Sequence, residues 1–346
     1  MNYKYSLLII LLVAVISCAQ TKQDTLFVAH WNLENLFDTV DDPKTIDEEF
    51  LPNGQKEWTS ERLETKLYNL SRVIRSMNDD RGPDILGVCE VEHEALLDTM
   101  CNKYLSDMSF KVAYLESPDE RGIDNGLVFK SHKLKLLSVK GLNVDLGTGY
   151  QTRLILDATL LFENKDTLNC FVNHWPSRRG GEAESEWARV KAAQTLRKTV
   201  EELLSKNNKS KIIIVGDFND QPNNTSITEN LKAEGIICDS IKSDNLIQDD
   251  KSDLFNLAFK SWSEGNGSYF YRDNFNMLDQ IIVSKDMLIG SDLNYICNSF
   301  EVYKPYIMVT RTGKFKGAPF PTYGGSRYLG GYSDHFPVTA KFKVLR

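Results

Sequence analysis

Polar residues with the chemistry of a phosphate-handling site recur where short apolar runs end. They are Asn32 and Glu34 in "HWNLENLFD", Glu90 and Glu92 in "DILGVCEVE", His174 in "FVNHWPSRRGG", Asp217 and Asn219 in "VGDFND", Asp279 in "MLDQIIV", and Asp334 with His335 in "GGYSDHFPV". Any one of them has an ordinary explanation, because strand-end carboxylates cap helices or face water. Their repetition is the signal. Carboxylates and carboxamides are hard oxygen ligands suited to Mg²⁺ or Mn²⁺, and the chain has no Cys/His cluster of the zinc type. Two imidazoles beside such an ion suit hydrolysis of a phosphate ester: one removes a proton from water while the other serves the leaving group. "PSRRGG" adds Arg178 and Arg179 as phosphate clamps, since guanidinium matches phosphate oxygens in pairs.

These residues need strands to carry them. Apolar, β-branched runs bounded by turn residues at 25–31, 84–90, 126–130, 153–162, 167–175, 211–218, 277–284 and 336–344 read as strands. Helical period appears in "TSERLETKLYNLSRVIRSM", with Leu63, Leu67, Leu70, Ile74 and Met77 on one face. It appears again in "EAESEWARVKAAQTLRKTVEELL", with Trp187, Val190, Ala193, Leu196, Val200 and Leu203. Some strands alternate with helices and others follow one another directly. This fits a mixed α/β layering with two sheets packed together better than a pure doubly wound fold. Long polar loops are expected around 38–57, 244–253 and 311–331.

The 346 residues are 41% hydrophobic and 26% charged, as in globular chains, with a formal net charge of -7. That balance argues against a passive nucleic-acid binder, but not against an enzyme that meets phosphates through a metal. The start, "MNYKYSLLIILLVAVISCAQ", reads as a secretory signal too short to span a membrane. Its "VISC" resembles a bacterial lipobox, which would make Cys18 a lipidated first residue and divide the chain into a signal at 1–18 and one domain at 19–346. The expected location is the cell envelope, membrane-anchored through that lipid, as a monomer. Five cysteines remain without metal spacing, and Cys89 and Cys170 lie in core-like runs.

Taken together, "GDFN" and "SDH" with "CEVE" and "NHW" upstream resemble the endonuclease/exonuclease/phosphatase superfamily, over essentially the whole mature chain. The resemblance implies an α+β fold, a four-layer αββα sandwich of two packed mixed β-sheets flanked by helices, with Glu90 as the principal metal ligand and Asn32, Glu34 and Asp334 close to the metal. Asp217 and Asn219 would hold the attacking water and the phosphate. His335 would be the catalytic imidazole oriented by Asp279, and His174 the second one, with Asp124 of "RGIDNGLVF" as its acidic partner. Either Asp217 or His335 would take the proton from water. Cys89 departs from the family pattern, which often has Gln there. The expected function is Mg²⁺- or Mn²⁺-dependent phosphodiester hydrolysis, with nucleic acid as substrate. The alternatives are a phosphatase or phospholipase-like enzyme acting on small molecules or lipids, and a silent binding module.

Overall fold

The computed structural model describes residues 24–147, 149–163, 166–236, 238 and 252–345. The signal segment and Cys18 lie outside the described residues, as does most of the loop expected at 244–253. Among the described residues, no helix is long and apolar enough to cross a membrane.

The chain opens with β1 (Thr25–Leu36), α1 (Ser60–Asp80), β2 (Ile85–Val91), α2 (Glu94–Tyr104), β3 (Phe110–Tyr114) and β4 (Asp124–Lys130). There follow β5 (Leu134–Leu142), β6 (Ile155–Phe162), β7 (Asp166–His174), α3 (Glu182–Lys206), β8 (Lys211–Asp217), β9 (Ala233–Gly235) and β10 (Leu254–Asn256). A small hairpin, β11 (Tyr269–Tyr271) and β12 (Asn274–Asn276), precedes β13 (Asp279–Ser284), β14 (Leu293–Tyr295) and β15 (Glu301–Val302). A second hairpin, β16 (Tyr323–Gly324) and β17 (Arg327–Tyr328), leads to β18 (Val338–Val344).

Two mixed seven-stranded sheets result. One runs β14-β18-β1-β2-β4-β3, with β15 also on β18, and the other β5-β6-β7-β8-β13-β10-β9. Period-two alternation builds the layers. Val28, Val172 and Val215 point between the sheets, where they join one apolar cluster with Ile281 and Phe342. Their neighbours Phe27 and Ala29 face the cluster under α1 and α2, while Phe171, Ile212 and Ile214 face α3. Each large side chain so buried contributes roughly 1.5–3 kcal/mol. The sheets approach closely at Gly87, where an added Cβ would lie 2.4 Å from a Val215 methyl. The four-layer expectation therefore holds.

One local expectation needs correction. Trp187 lies 47% exposed. The inward stripe of α3 is Ala188, Ala192, Ala193, Leu196 and Val200, small residues that let the helix lie close to its sheet and leave Trp187 to one side. The helix α2 and the strands β3 and β5 lacked a readable signal. β5 is largely solvent-facing although LKLLSVKGL is rich in Leu and Val, and its place comes from its antiparallel pairing with β6.

Candidate active site

Sheet register lines up the chemistry. β7 and β8 run parallel with His174 opposite Asp217, and β8 and β13 run antiparallel with Asp217 opposite Asp279. One row across the second sheet thus carries an imidazole and two carboxylates. In the facing sheet Asn32 pairs with Cys89, so Glu90 follows at the end of β2. His335 enters from the turn before β18. Its N–H donates to Ser333 Oγ (3.1 Å), Ser333 Oγ donates to the Asn32 carbonyl (2.6 Å), and Trp31 Nε1 donates to the His335 carbonyl (2.9 Å). The Ser in "SDH" thereby fixes the His against β1.

Asp217 is the hub of the site. Its Oδ1 accepts from the Asn219 N–H (2.9 Å) and its Oδ2 from Asn32 Nδ2 (3.2 Å). That same Oδ2 stands 3.9 Å from Nε2 of both His174 and His335. Glu90 accepts from Asn32 Nδ2 (3.3 Å) and the Asn35 N–H (2.9 Å), with His174 Nε2 at 3.8 Å. Asn219 also donates its Nδ2 to the Trp175 carbonyl (3.0 Å). The backbone is strained at these points. Glu34, Asn35, Glu90 and Asn219 have φ of 52°, 52°, 61° and 51°, a left-handed conformation that costs a non-glycine residue roughly 1–3 kcal/mol.

The two imidazoles are driven in opposite directions. Burial alone would depress His335, but the charges of Asp279, Asp334 and Asp217 outweigh it and hold the imidazole well above its ordinary pKa. For His174, burial and then the Arg153 and Arg121 charges push it well below. One ring is therefore cationic and the other neutral near neutral pH, the kind of split that assigns acid–base roles. Asp279 resists the effect of its burial because His335 and His30 keep it ionised and its pKa lowered. Asp279 Oδ2 lies 2.6 Å from His335 Nδ1 and accepts from Ser268 Oγ (2.6 Å), while Oδ1 lies 3.2 Å from His30 Nε2. The Cys89 thiol, at the position of the family's Gln, sits 3.9 Å from the same His30 nitrogen.

Glu90, Asp217 and Asp334 line one cleft of about 550 Å³ with His174, His335 and Asn219. The donor set fits a hard divalent cation. Burial and the nearby Glu34 and Glu90 charges push the Asp334 carboxyl up to about 7, a charge excess that a cation in the cleft would offset. One ligand atom each from Asp217, Asp279 and His335 also lies within 4.8 Å of the others, but the hydrogen bond between His335 and Asp279 accounts for that grouping.

Several of the expected site residues have other partners in the structure. Glu34 spends both carboxylate oxygens on backbone amides, accepting from Thr322 (2.6 Å) and Tyr323 (3.0 Å), with Lys66 Nζ at 3.8 Å. It fastens the 322–323 loop to β1. Glu34→Gln is expected to cost about 1–3 kcal/mol of stability in denaturant unfolding, by leaving a buried donor without its charged acceptor. Asp124 accepts from Tyr114 OH (2.8 Å) and the Ser117 N–H (2.8 Å) rather than from His174, whose Nδ1 has no hydrogen-bond partner among the described residues. Arg178 is claimed by Glu182 (3.0 Å), Asp220 (3.4 Å) and the Asn219 carbonyl, so it braces the loop before α3 while its side borders the cleft. Glu92 faces the 38–50 loop, accepting from the Asp38 N–H (2.6 Å).

Other contributors carried no readable signal. His30 lies inside an apolar run and looks like core, and Arg121 and Arg153 reach the cleft from loops distant in sequence. Arg153 is paired with Asp119 (3.1 Å), while Arg121 donates to Asn35 Oδ1 and meets no carboxylate among the described residues. Tyr269 stacks on His335 with centroids 4.6 Å apart.

Similar folds occur among solved structures. A humanized D. rerio TDP2 superposes with a TM-score of 0.56 at 13% identity, covering 92% of this chain and 99% of that one. Human nocturnin gives 0.52 at 18%, covering 93% and 97%, and a Bacteroides thetaiotaomicron mannosyl-6-phosphatase gives 0.54 at 15%, covering 92% and 99%. At such identities the likeness is one of fold. No curated protein matches the chain in sequence at a significant level. The model of the Endonuclease/Exonuclease/phosphatase family matches residues 27–344, and the chain belongs to that family of phosphoester hydrolases.

Proposed function

We propose that the chain hydrolyses phosphodiester bonds in a Mg²⁺- or Mn²⁺-dependent reaction, with nucleic acid as its substrate. The observation that carries this is the position of Asp217, at 3.9 Å from two imidazoles whose surroundings drive their pKa values in opposite directions, in one cleft. Glu90, Asp334 and the Asn32 amide would hold the metal. When bound, it neutralises charge on the phosphoryl and leaving oxygens. Asp217, with its Oδ1 held by the Asn219 amide, orients the attacking water and takes its proton. His335, cationic and fixed by Asp279, donates Nε2–H to a phosphoryl oxygen as negative charge grows there. His174, neutral, accepts from the water or donates to the phosphate according to its tautomer. D. rerio TDP2 is known in complex with single-strand DNA product, which supports a strand as substrate on this fold.

A phosphomonoester is the second reading, and Arg121 favours it: a cleft guanidinium without a carboxylate suits a second negative charge. The test is turnover of the purified protein with Mg²⁺ against plasmid DNA, a single-stranded oligonucleotide, bis-p-nitrophenyl phosphate and p-nitrophenyl phosphate. Diesters are expected to exceed the monoester by about tenfold, near 1.4 kcal/mol in barrier. A preference for the monoester promotes the second reading. Arg121→Gln is expected to raise KM by roughly tenfold or more, since a hydrogen bond to a charged group is worth roughly 1.5–3 kcal/mol, whereas Arg178→Gln lowers the unfolding temperature. Equal KM effects from the two would return the clamp to Arg178. Export, lipid attachment at Cys18 and a monomeric state belong to the same proposal, and mass spectrometry of the envelope-associated protein would test the lipid.

A further inference from the structure

From 302 to 333 the chain contains no Asp or Glu, although it carries 48 in its 346 residues. The same stretch holds Lys304, Arg311, Lys314, Lys316 and Arg327, and it leads without interruption into Asp334 and His335. A net-negative protein has concentrated positive charge in the segment that directly precedes its catalytic residues in the chain.

The stretch is built, not loose. Val309 and Pro319 form a bridge, and Thr310 N–H donates to the Ala318 carbonyl (2.8 Å), Gly317 N–H to Thr310 (2.8 Å) and Phe320 N–H to Met308 (2.7 Å). Gly313 and Gly317, at φ 76° and 93°, turn the tip. That tip presents Arg311, Lys314 and Lys316 to solvent, and among the described residues no carboxylate pairs with any of the three. Aromatic rings stand among the charges: Tyr306 is 70% and Phe315 57% exposed, and the Arg311 guanidinium lies 3.6 Å from the Tyr306 centroid. At its other end the stretch is strapped to the site by Lys66, which donates to Thr322 Oγ1 (2.5 Å) and the Tyr332 carbonyl (2.9 Å).

We infer that this hairpin is a docking surface for single-stranded nucleic acid, holding the strand outside the cleft while one phosphate is cleaved inside it. The inference rests on the nuclease reading above and adds a contact outside the cleft. Cations interleaved with exposed rings match a strand, whose phosphates repeat and whose unpaired bases stack. Spread of the charges along the whole stretch as far as Arg327, continuous with Asp334, fits a strand leading to the site better than a bilayer touched at one tip.

The experiment measures anisotropy of a fluorescent single-stranded 20-mer in EDTA, where no turnover occurs, for the full protein and for R311Q/K314Q/K316Q, with Lys314→Glu alone as a second variant. The triple variant is expected to bind about tenfold more weakly, with the slope of log K against log salt reduced by about two, at roughly 0.7 per lost contact. Lys314→Glu is expected to weaken binding in the same sense. Unchanged affinity and slope in both variants, or no binding by the wild type, overturns the inference. So does a loss confined to phosphatidylglycerol/phosphatidylcholine vesicles, which would make the hairpin a membrane contact. Turnover of bis-p-nitrophenyl phosphate by the wild type, a substrate too short to need the hairpin, reports separately on the phosphoesterase reading.

Discussion

Replacing Glu90 with glycine is expected to reduce phosphoester turnover by about 10³-fold or more while the unfolding temperature stays at or above that of the wild type. The first half follows from the donor set. Glu90 lies across the cleft from Asp217 and within 3.8 Å of His174, and its loss would remove the principal carboxylate offered to a divalent ion. Such an ion contributes several kcal/mol of transition-state charge stabilisation, and about 4 kcal/mol corresponds to about 10³ in rate. The second half follows from the backbone. At φ 61° the glutamate occupies a conformation that glycine adopts freely, so relief of strain offsets the lost bond from the Asn35 N–H. Two measurements decide the matter: metal-saturated kcat and calorimetric unfolding of each protein. Activity within tenfold of wild type would remove Glu90 from the centre, and a collapse in unfolding temperature would make it a structural residue.

That strain marks the boundary of what the chain reveals before its fold is known. Strand ends were legible because alternation and flanking turn residues are local, so His174, Asp217 and Asp279 could be placed at the ends of β7, β8 and β13 from the pattern alone. Their meeting in one row depends on register, set by pairings such as His174 with Asp217 and Asp217 with Asp279. Which group claims a given side chain was not legible, whether that partner is near in sequence or far. Asp124 lay in the right motif, yet Tyr114 and Ser117 claim its carboxylate. Glu34 had the right residue type, yet the amides of Thr322 and Tyr323, almost three hundred residues on, absorb it. The same holds for His30. A histidine in an apolar run is ordinary core by pattern, and only the packing of β1 against β13 shows that it faces Asp279.

His335→Ala is expected to lower kcat by roughly 10² to 10⁴, the range for a general acid–base group, with KM and unfolding temperature little changed. Asp279→Asn tests how the imidazole is held. The carboxylate gives His335 both an orientation, through the 2.6 Å contact to Nδ1, and a charge that keeps the ring protonated. A neutral amide keeps some of the first and none of the second. Removing the anion lowers the pKa of His335, so the alkaline limb of the kcat/KM profile, where the cationic ring is lost, should move to lower pH. His30→Leu probes the same carboxylate from its far oxygen, 3.2 Å from His30 Nε2: without that contact Asp279 is freer to turn, and kcat should fall while KM holds. His30→Gln, which still offers an N–H, should recover part of the loss. Because the three residues act on one proton site, Asp279→Asn combined with His335→Ala should be scarcely worse than His335→Ala alone. Multiplying losses in that pair would mean that Asp279 acts elsewhere. An alkaline limb that stays in place in Asp279→Asn would mean that His335 does not work as a cation.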